Sequence, residues 1–124
     1  MNINRILIVE DDFIMNQGLC EFLIEGGYDV RPVYCGQAAF EVIDRHDRLL
    51  ALLTDIDLGP GPDGVDVARY ARAFSPHLPV VFISAAADPR HEFNGVTDSE
   101  FIAKPFRPEQ VADALARVIR LEAA

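Results

Sequence analysis

Basic residues are scarce in this chain. Eleven lysines and arginines face 20 aspartates and glutamates, for a formal net charge of −9. Nucleic acids are polyanions whose binding rests largely on Lys and Arg neutralising phosphates, so an acidic chain without a basic stripe is not expected to bind DNA or RNA. The same charge disfavours anionic membrane surfaces and favours cationic partners. Long apolar runs are missing too. None approaches the roughly 18–20 residues that span a bilayer, and the run after Arg5 has no small-residue cleavage site behind it, so no signal peptide is read. A cytoplasmic location is the expectation. Cysteine is limited to Cys20 and Cys35, which lack C-x-x-C spacing and a histidine at metal-ligand spacing. Such thiols are expected to be small buried hydrophobes. His46, His77 and His91 form no pair at helical spacing and read as surface residues. Lysine is nearly absent: ten of the eleven basic residues are arginine, and Lys104 stands alone.

What is present is an alternation of short apolar runs with longer amphipathic ones. The 124 residues suit one domain with a real core. Residues 6–9 form a compact β-branched and leucine run. Over residues 13–25, Met15, Leu19, Phe22 and Leu23 recur at helical spacing, and Gly26-Gly27 supplies a stop. Residues 28–33 read as a second strand, with Pro32 suggesting either a sheet edge or a strand already ending. A helix over residues 36–47 turns Ala39, Val42 and Ile43 inward. Residues 49–54 are continuously apolar, as in a strand buried on both faces. The Gly-, Pro- and Asp-rich residues 55–63 form a loop, and Asp63 caps a third helix with Val67, Ala68, Ala71 and Phe74 facing in. A fourth strand covers 79–84 and a fifth 101–103. Between them, residues 85–99 offer few apolar anchors and suggest a short or mobile helix. Pro108 opens a final helix with Val111, Leu115, Val118 and Ile119 inside. Alternating strands and helices joined by short loops call for an α/β fold, a doubly wound five-stranded parallel sheet with helices on both faces.

Open parallel sheets bind ligands outside the carboxyl ends of their strands. Those ends carry Glu10, Asp11 and Asp12 after strand one, Asp55 and Asp57 after strand three, Ser84 and Ala85 after strand four, and Lys104-Pro105 after strand five. Clustered carboxylates repel and raise one another's pKa unless a cation joins them. A hard cation with oxygen ligands fits best, which points to Mg²⁺. A carboxylate, a metal, a hydroxyl and an ammonium around one cavity suit phosphoryl transfer, with the cations neutralising the equatorial oxygens and a carboxylate oxygen attacking in line. Each residue alone has a plainer explanation: Asp12 as a helix N-cap, Asp55 as a turn former, Ser84 as a local cap, Lys104 as a solvated charge. Together, each at a strand end, they form a specific pattern.

With those residues in place, the chain resembles the receiver domain of response regulators in two-component signalling. ILIVEDD at 6–12, LLTDIDL at 52–58, PVVFISA at 79–85 and FIAKPF at 101–106 carry the resemblance. It implies a flavodoxin-like fold over residues 1–124 as a single receiver domain. Glu10 and Asp11 would be the acidic pair of a Mg²⁺ site completed by Asp55 and the backbone carbonyl of Asp57. Asp55 would accept the phosphoryl group, with Asp57 as the alternative acceptor. Ser84 would contact the phosphoryl group, Lys104 would bind it, and Phe101 would be the aromatic switch. The Lys104-Pro105 bond is often cis in the family. The implied donor is a phosphohistidine of a sensor histidine kinase or histidine phosphotransferase, and the implied output is contact with a downstream protein or a phosphate-sink role. Two departures stand out. Gly59 replaces the family's usual proline four residues after the acceptor, and Gly64 comes nine residues after it where the family has glycine eight after, so this loop is one residue longer. The stretch between Ser84 and Lys104 is also short and polar.

Two other readings share these residues. Asp55-Ile-Asp57 resembles the D-x-D nucleophile of haloacid-dehalogenase-type phosphohydrolases, although that family places its acidic pair last and here it comes first. A non-phosphorylated pseudo-receiver would be a binding module only, but such chains typically lack an acid or the lysine retained here.

Overall fold

The computed structural model describes residues 4–85 and 96–123. Strands β1 (Arg5–Val9), β2 (Asp29–Val33), β3 (Ala51–Asp55), β4 (Val80–Ala85) and β5 (Ser99–Lys104) form one parallel sheet in the order β2-β1-β3-β4-β5. Helices α1 (Phe13–Glu25), α2 (Gly36–Asp44), α3 (Gly64–Phe74) and α4 (Pro108–Ala123) cover it. The helix expected within residues 85–99 falls almost wholly outside the described residues.

Side chains alternate across a strand, so each central strand feeds two cores. Leu7, Val9, Leu52, Val80 and Phe82 pack against α2 and α3 through Val42, Ile43, Val67 and Ala68. Ile6, Ile8, Leu53, Val81 and Ile83 point the other way, onto Leu19 and Leu23 of α1 and Val111, Leu115 and Val118 of α4. Strands buried on both faces must read as continuous apolar runs, which is how β1, β3 and β4 were legible. Pro32 lies in β2 at the edge of the sheet, where the missing N–H breaks no inner ladder. Asp63 caps α3 through a reciprocal capping box with Asp66.

Several boundaries differ from expectation. Helix α2 stops at Asp44 rather than near residue 47, because His46 adopts a left-handed φ of 58° that no helix can continue. β3 begins at Ala51 and runs through Asp55, so the acceptor candidate is the last strand residue rather than the first loop residue. Phe74 was expected inside α3's core face but is 47% exposed, with its ring edge-on to Tyr70 and His46. The two cysteines part company. Cys20 is buried, whereas Cys35 is exposed at the N-cap of α2, correcting the expectation that both are buried.

Candidate functional site

The sheet order reverses between β1 and β3, and at such a switch point the connections leave in opposite directions and open a crevice. A cleft of about 550 Å³ lies there, lined by Glu10, Asp11, Asp55, Asp57, Ser84 and Lys104 among others. Of the residues singled out at the strand ends, all but Pro105 line this hollow.

Asp55 is 3% exposed. Its Oδ2 is 2.5 Å from Lys104 Nζ, and its Oδ1 accepts the Asp57 N–H at 3.1 Å. Thr54 lends its hydroxyl to the Asp55 carbonyl at 2.9 Å. Glu10 is buried as well; its Oε2 accepts the Asp12 N–H at 3.0 Å, while Oε1 lies 3.5 Å from Lys104 Nζ and makes no hydrogen bond among the described residues. Carboxylate oxygens of Glu10, Asp11 and Asp55 can all fall within 4.8 Å of one another.

This crowding sets the electrostatics. Burial, reinforced by the charge of Asp55 and opposed by the Asp12 amide, pushes the Glu10 carboxyl up to about 7. Burial alone would lower the Lys104 ammonium, but the hydrogen bond and charge of Asp55, with the charge of Glu10, outweigh it and hold the lysine above its usual value. Lys104 is thus the fixed cation of the site.

The remaining candidates divide. Ser84 is buried on β4 beside Ala103 of β5 and lines the cleft. Asp57 is exposed, its side chain accepts the Gly59 N–H at 3.2 Å, and it is not part of the Glu10–Asp11–Asp55 carboxylate group. Asp12 is the N-cap of α1, accepting from the Met15 N–H at 3.1 Å, as its plainer reading had it. Phe101 is half-buried on β5 against the α2–α3 core, and the Lys104-Pro105 bond is cis.

The loop after β3 explains its own departures. Gly59 has φ of 76°, which proline, fixed near −65°, cannot adopt. At Gly64, a Cβ would meet the Asp55 carbonyl oxygen at 2.0 Å, so only glycine lets α3 start against the end of β3.

One residue of this neighbourhood escaped the sequence reading. Asn16 is fully buried, and its Nδ2 donates to the carbonyls of Glu10 at 3.1 Å and Val33 at 3.0 Å. The available signal was its place on the inward stripe of α1, in register with Leu19, Cys20 and Leu23, where a polar side chain needs partners.

The sequence model described as "Response regulator receiver domain" matches residues 6–116. The chain belongs to the response regulator receiver family. Among curated proteins this receiver domain is 32% identical over 117 residues to the response regulator receiver protein CpdR of Brucella abortus, covering 93% of this chain and 96% of that one. It spans only 24–52% of the length of other response regulators that it matches. A crystal structure of a response regulator receiver protein from Sinorhizobium medicae superposes with a TM-score of 0.93 at 31% identity, covering 98% of each chain. The receiver domain of a sensor histidine kinase from Pseudomonas aeruginosa, whose structure has a magnesium ion coordinated in its active-site cleft, gives a TM-score of 0.79 at 31% identity, covering 96% of this chain and 99% of that one. The five parallel strands and their covering helices are those of the flavodoxin-like receiver fold. Among the described residues no helix is long and apolar enough to cross a membrane.

Proposed function

We propose that this receiver domain accepts a phosphoryl group onto Asp55 from a phosphohistidine of a sensor histidine kinase or histidine phosphotransferase. The supporting observation is the Asp55 carboxylate itself, nearly buried, bonded to Lys104 at 2.5 Å and grouped with Glu10 and Asp11 at the mouth of the switch-point cleft. Asp57, the alternative acceptor, is exposed and has its carboxylate engaged with the Gly59 amide.

The donor set fits Mg²⁺. It is all oxygen, it is anionic, and it contains a buried Glu10 oxygen without a hydrogen bond among the described residues. Glu10, Asp11 and Asp55 would hold the ion by side chains and Asp57 by its backbone carbonyl. Mg²⁺ when bound supplies neutralisation of the phosphoryl oxygens.

The chain's own residues carry the rest. A carboxylate oxygen of Asp55 attacks phosphorus; the new acyl P–O bond forms as the P–N bond to the donor imidazole breaks, and the imidazole nitrogen keeps the electron pair. Lys104 balances charge on the transferring group, and the Ser84 hydroxyl donates to it. Water then attacks phosphorus, releasing inorganic phosphate and restoring the Asp55 carboxylate. Output runs to a protein partner through Ser84, the segment after it and Phe101, or the domain drains phosphoryl groups from a pathway. On this reading the domain of residues 1–124 acts in the cytoplasm through protein partners, engaging neither nucleic acid nor membrane.

Incubation with a small phosphodonor and Mg²⁺, followed by intact-mass measurement, tests the reading. One added phosphoryl group is expected in the wild type and none in Asp55→Ala or with Mg²⁺ chelated. An adduct that persists in Asp55→Ala overturns the acceptor assignment.

A further inference from the structure

The β1–β2 ladder ends at Val9 and Val33, after which the chain must leave the sheet to present Glu10 and Asp11 to the cleft. Leaving the sheet takes the Glu10 carbonyl out of the ladder inside a buried environment, where an acceptor left unmet is destabilising. Asn16 meets it. The fully buried amide donates both to that carbonyl, at 3.1 Å, and to the Val33 carbonyl, at 3.0 Å, which also receives the Glu10 N–H at 3.2 Å. Its Oδ1 accepts the weak Cys20 S–H donor at 3.5 Å, which fixes the orientation of the amide. Asn16 thereby ties the first turn of α1 to the ends of two strands, with Glu10 between them.

The consequence falls on the Glu10 side chain. With its backbone held from both sides, Glu10 gives Oε2 to the Asp12 amide and keeps Oε1 buried 3.5 Å from Lys104 Nζ, without a hydrogen bond among the described residues. That oxygen faces the Lys104 ammonium and keeps lone-pair capacity for a second cation. We infer that Asn16 is a positioning residue for the divalent-cation site, acting through the Glu10 backbone and touching neither ion nor phosphoryl group. This rests on the Mg²⁺ reading given above. Partners that orient metal ligands typically change affinity by about 10- to 100-fold when removed.

The test is calorimetric titration of Mg²⁺ into wild type, Asn16→Ala and Leu19→Ala, each at a temperature where circular dichroism shows it folded. Leu19 lies one turn further along the same buried stripe of α1 and contributes only apolar packing, so its variant loosens the helix without touching Glu10. Asn16→Ala is expected to bind Mg²⁺ about tenfold or more weakly, and Leu19→Ala to stay within about twofold of wild type. Hydrogen exchange supplies a second readout: the Asp12 amide, bonded to Glu10 Oε2, should lose protection in Asn16→Ala and keep it in Leu19→Ala. Unchanged Mg²⁺ affinity in Asn16→Ala overturns the inference, as does equal weakening in both variants. Should Asn16→Ala fail to fold, Asn16→Ser, whose hydroxyl is too short to bridge two carbonyls, takes its place under the same thresholds. If neither folds, Asn16 serves the fold alone and the inference falls. A wild type that binds no Mg²⁺ removes the metal reading itself, an outcome distinct from wild-type binding that the Asn16 variants leave intact.

Discussion

Lys104 Nζ bonds Asp55 Oδ2 at 2.5 Å across 49 residues of sequence and stands 3.5 Å from the buried Oε1 of Glu10. One ammonium thus offsets two carboxylates that burial forces together at the ends of β3 and β1. On the proposed function, the same group would meet negative charge on an incoming phosphoryl group. Removing it should cost more catalysis than stability.

Lys104→Ala is therefore expected to fold and to slow acyl-phosphate formation from a small phosphodonor by about 10²–10³-fold, the usual effect of deleting one preorganised charge-stabilising donor. Lys104→Arg should recover little, since a planar fork does not replace a compact point charge. Single-turnover phosphorylation followed by intact mass measures both. A Lys104→Ala rate within tenfold of wild type would remove the lysine from the mechanism.

The raised Glu10 pKa makes a pH prediction with a defined sign. The folded carboxyl titrates at about 7 against an ordinary value of 4.5, so between those values the folded state binds more protons than the unfolded one. In metal-free protein, Glu10 should contribute a loss of stability as pH rises from about 4.5 to 7, on the order of 2–3 kcal/mol, and no further change above that. Glu10→Gln should flatten this window and be the more stable protein at pH 8. Urea midpoints from pH 5 to pH 8 decide it; identical pH dependence of the two proteins would refute the assignment to Glu10.

Two glycines should respond to alanine in opposite ways. At Gly64 a Cβ would lie 2.0 Å from the Asp55 carbonyl oxygen, and because both partners are backbone neither can give way cheaply. Gly64→Ala should destabilise by about 3 kcal/mol or more and slow phosphorylation by shifting β3. Gly18 lies mid-helix in α1 with nothing within 4 Å of its would-be Cβ. Gly18→Ala should stabilise by about 0.5–1 kcal/mol through helix propensity. Thermal denaturation of both variants checks the contrast.

Asp63 couples a stability device to the loop beside the acceptor without entering the cleft. Its side chain accepts the Asp66 N–H at 2.9 Å, and Asp66 returns the bond to the Asp63 N–H at 3.0 Å. Asp63→Ala should lower stability by about 1 kcal/mol while leaving the final extent of phosphorylation unchanged. A loss of phosphorylation with no loss of stability would instead place Asp63 in the chemistry.

Much of this protein was written locally. β1, β3 and β4 are apolar on both faces because helices cover both, so their runs announced a parallel sheet. The strand ends carried acids, a hydroxyl and a lone lysine whose types pointed to a metal and a phosphoryl group. Pro32 suggested an edge, Asp63 a cap, and Gly59 and Gly64 a loop out of the family's usual step. Other features existed only once the chain closed. Asn16 sits on the inward stripe of α1, but its partners are carbonyls 6 and 17 residues away, one just past β1 and one at the end of β2. Cys20 and Cys35 could not be told apart until α1 covered one and the start of α2 left the other open. The elevated Glu10 pKa and the Lys104–Asp55 bond likewise belong to no local segment. Hydrogen bonds and desolvation act between groups that are near in space, and only the closed sheet sets those distances.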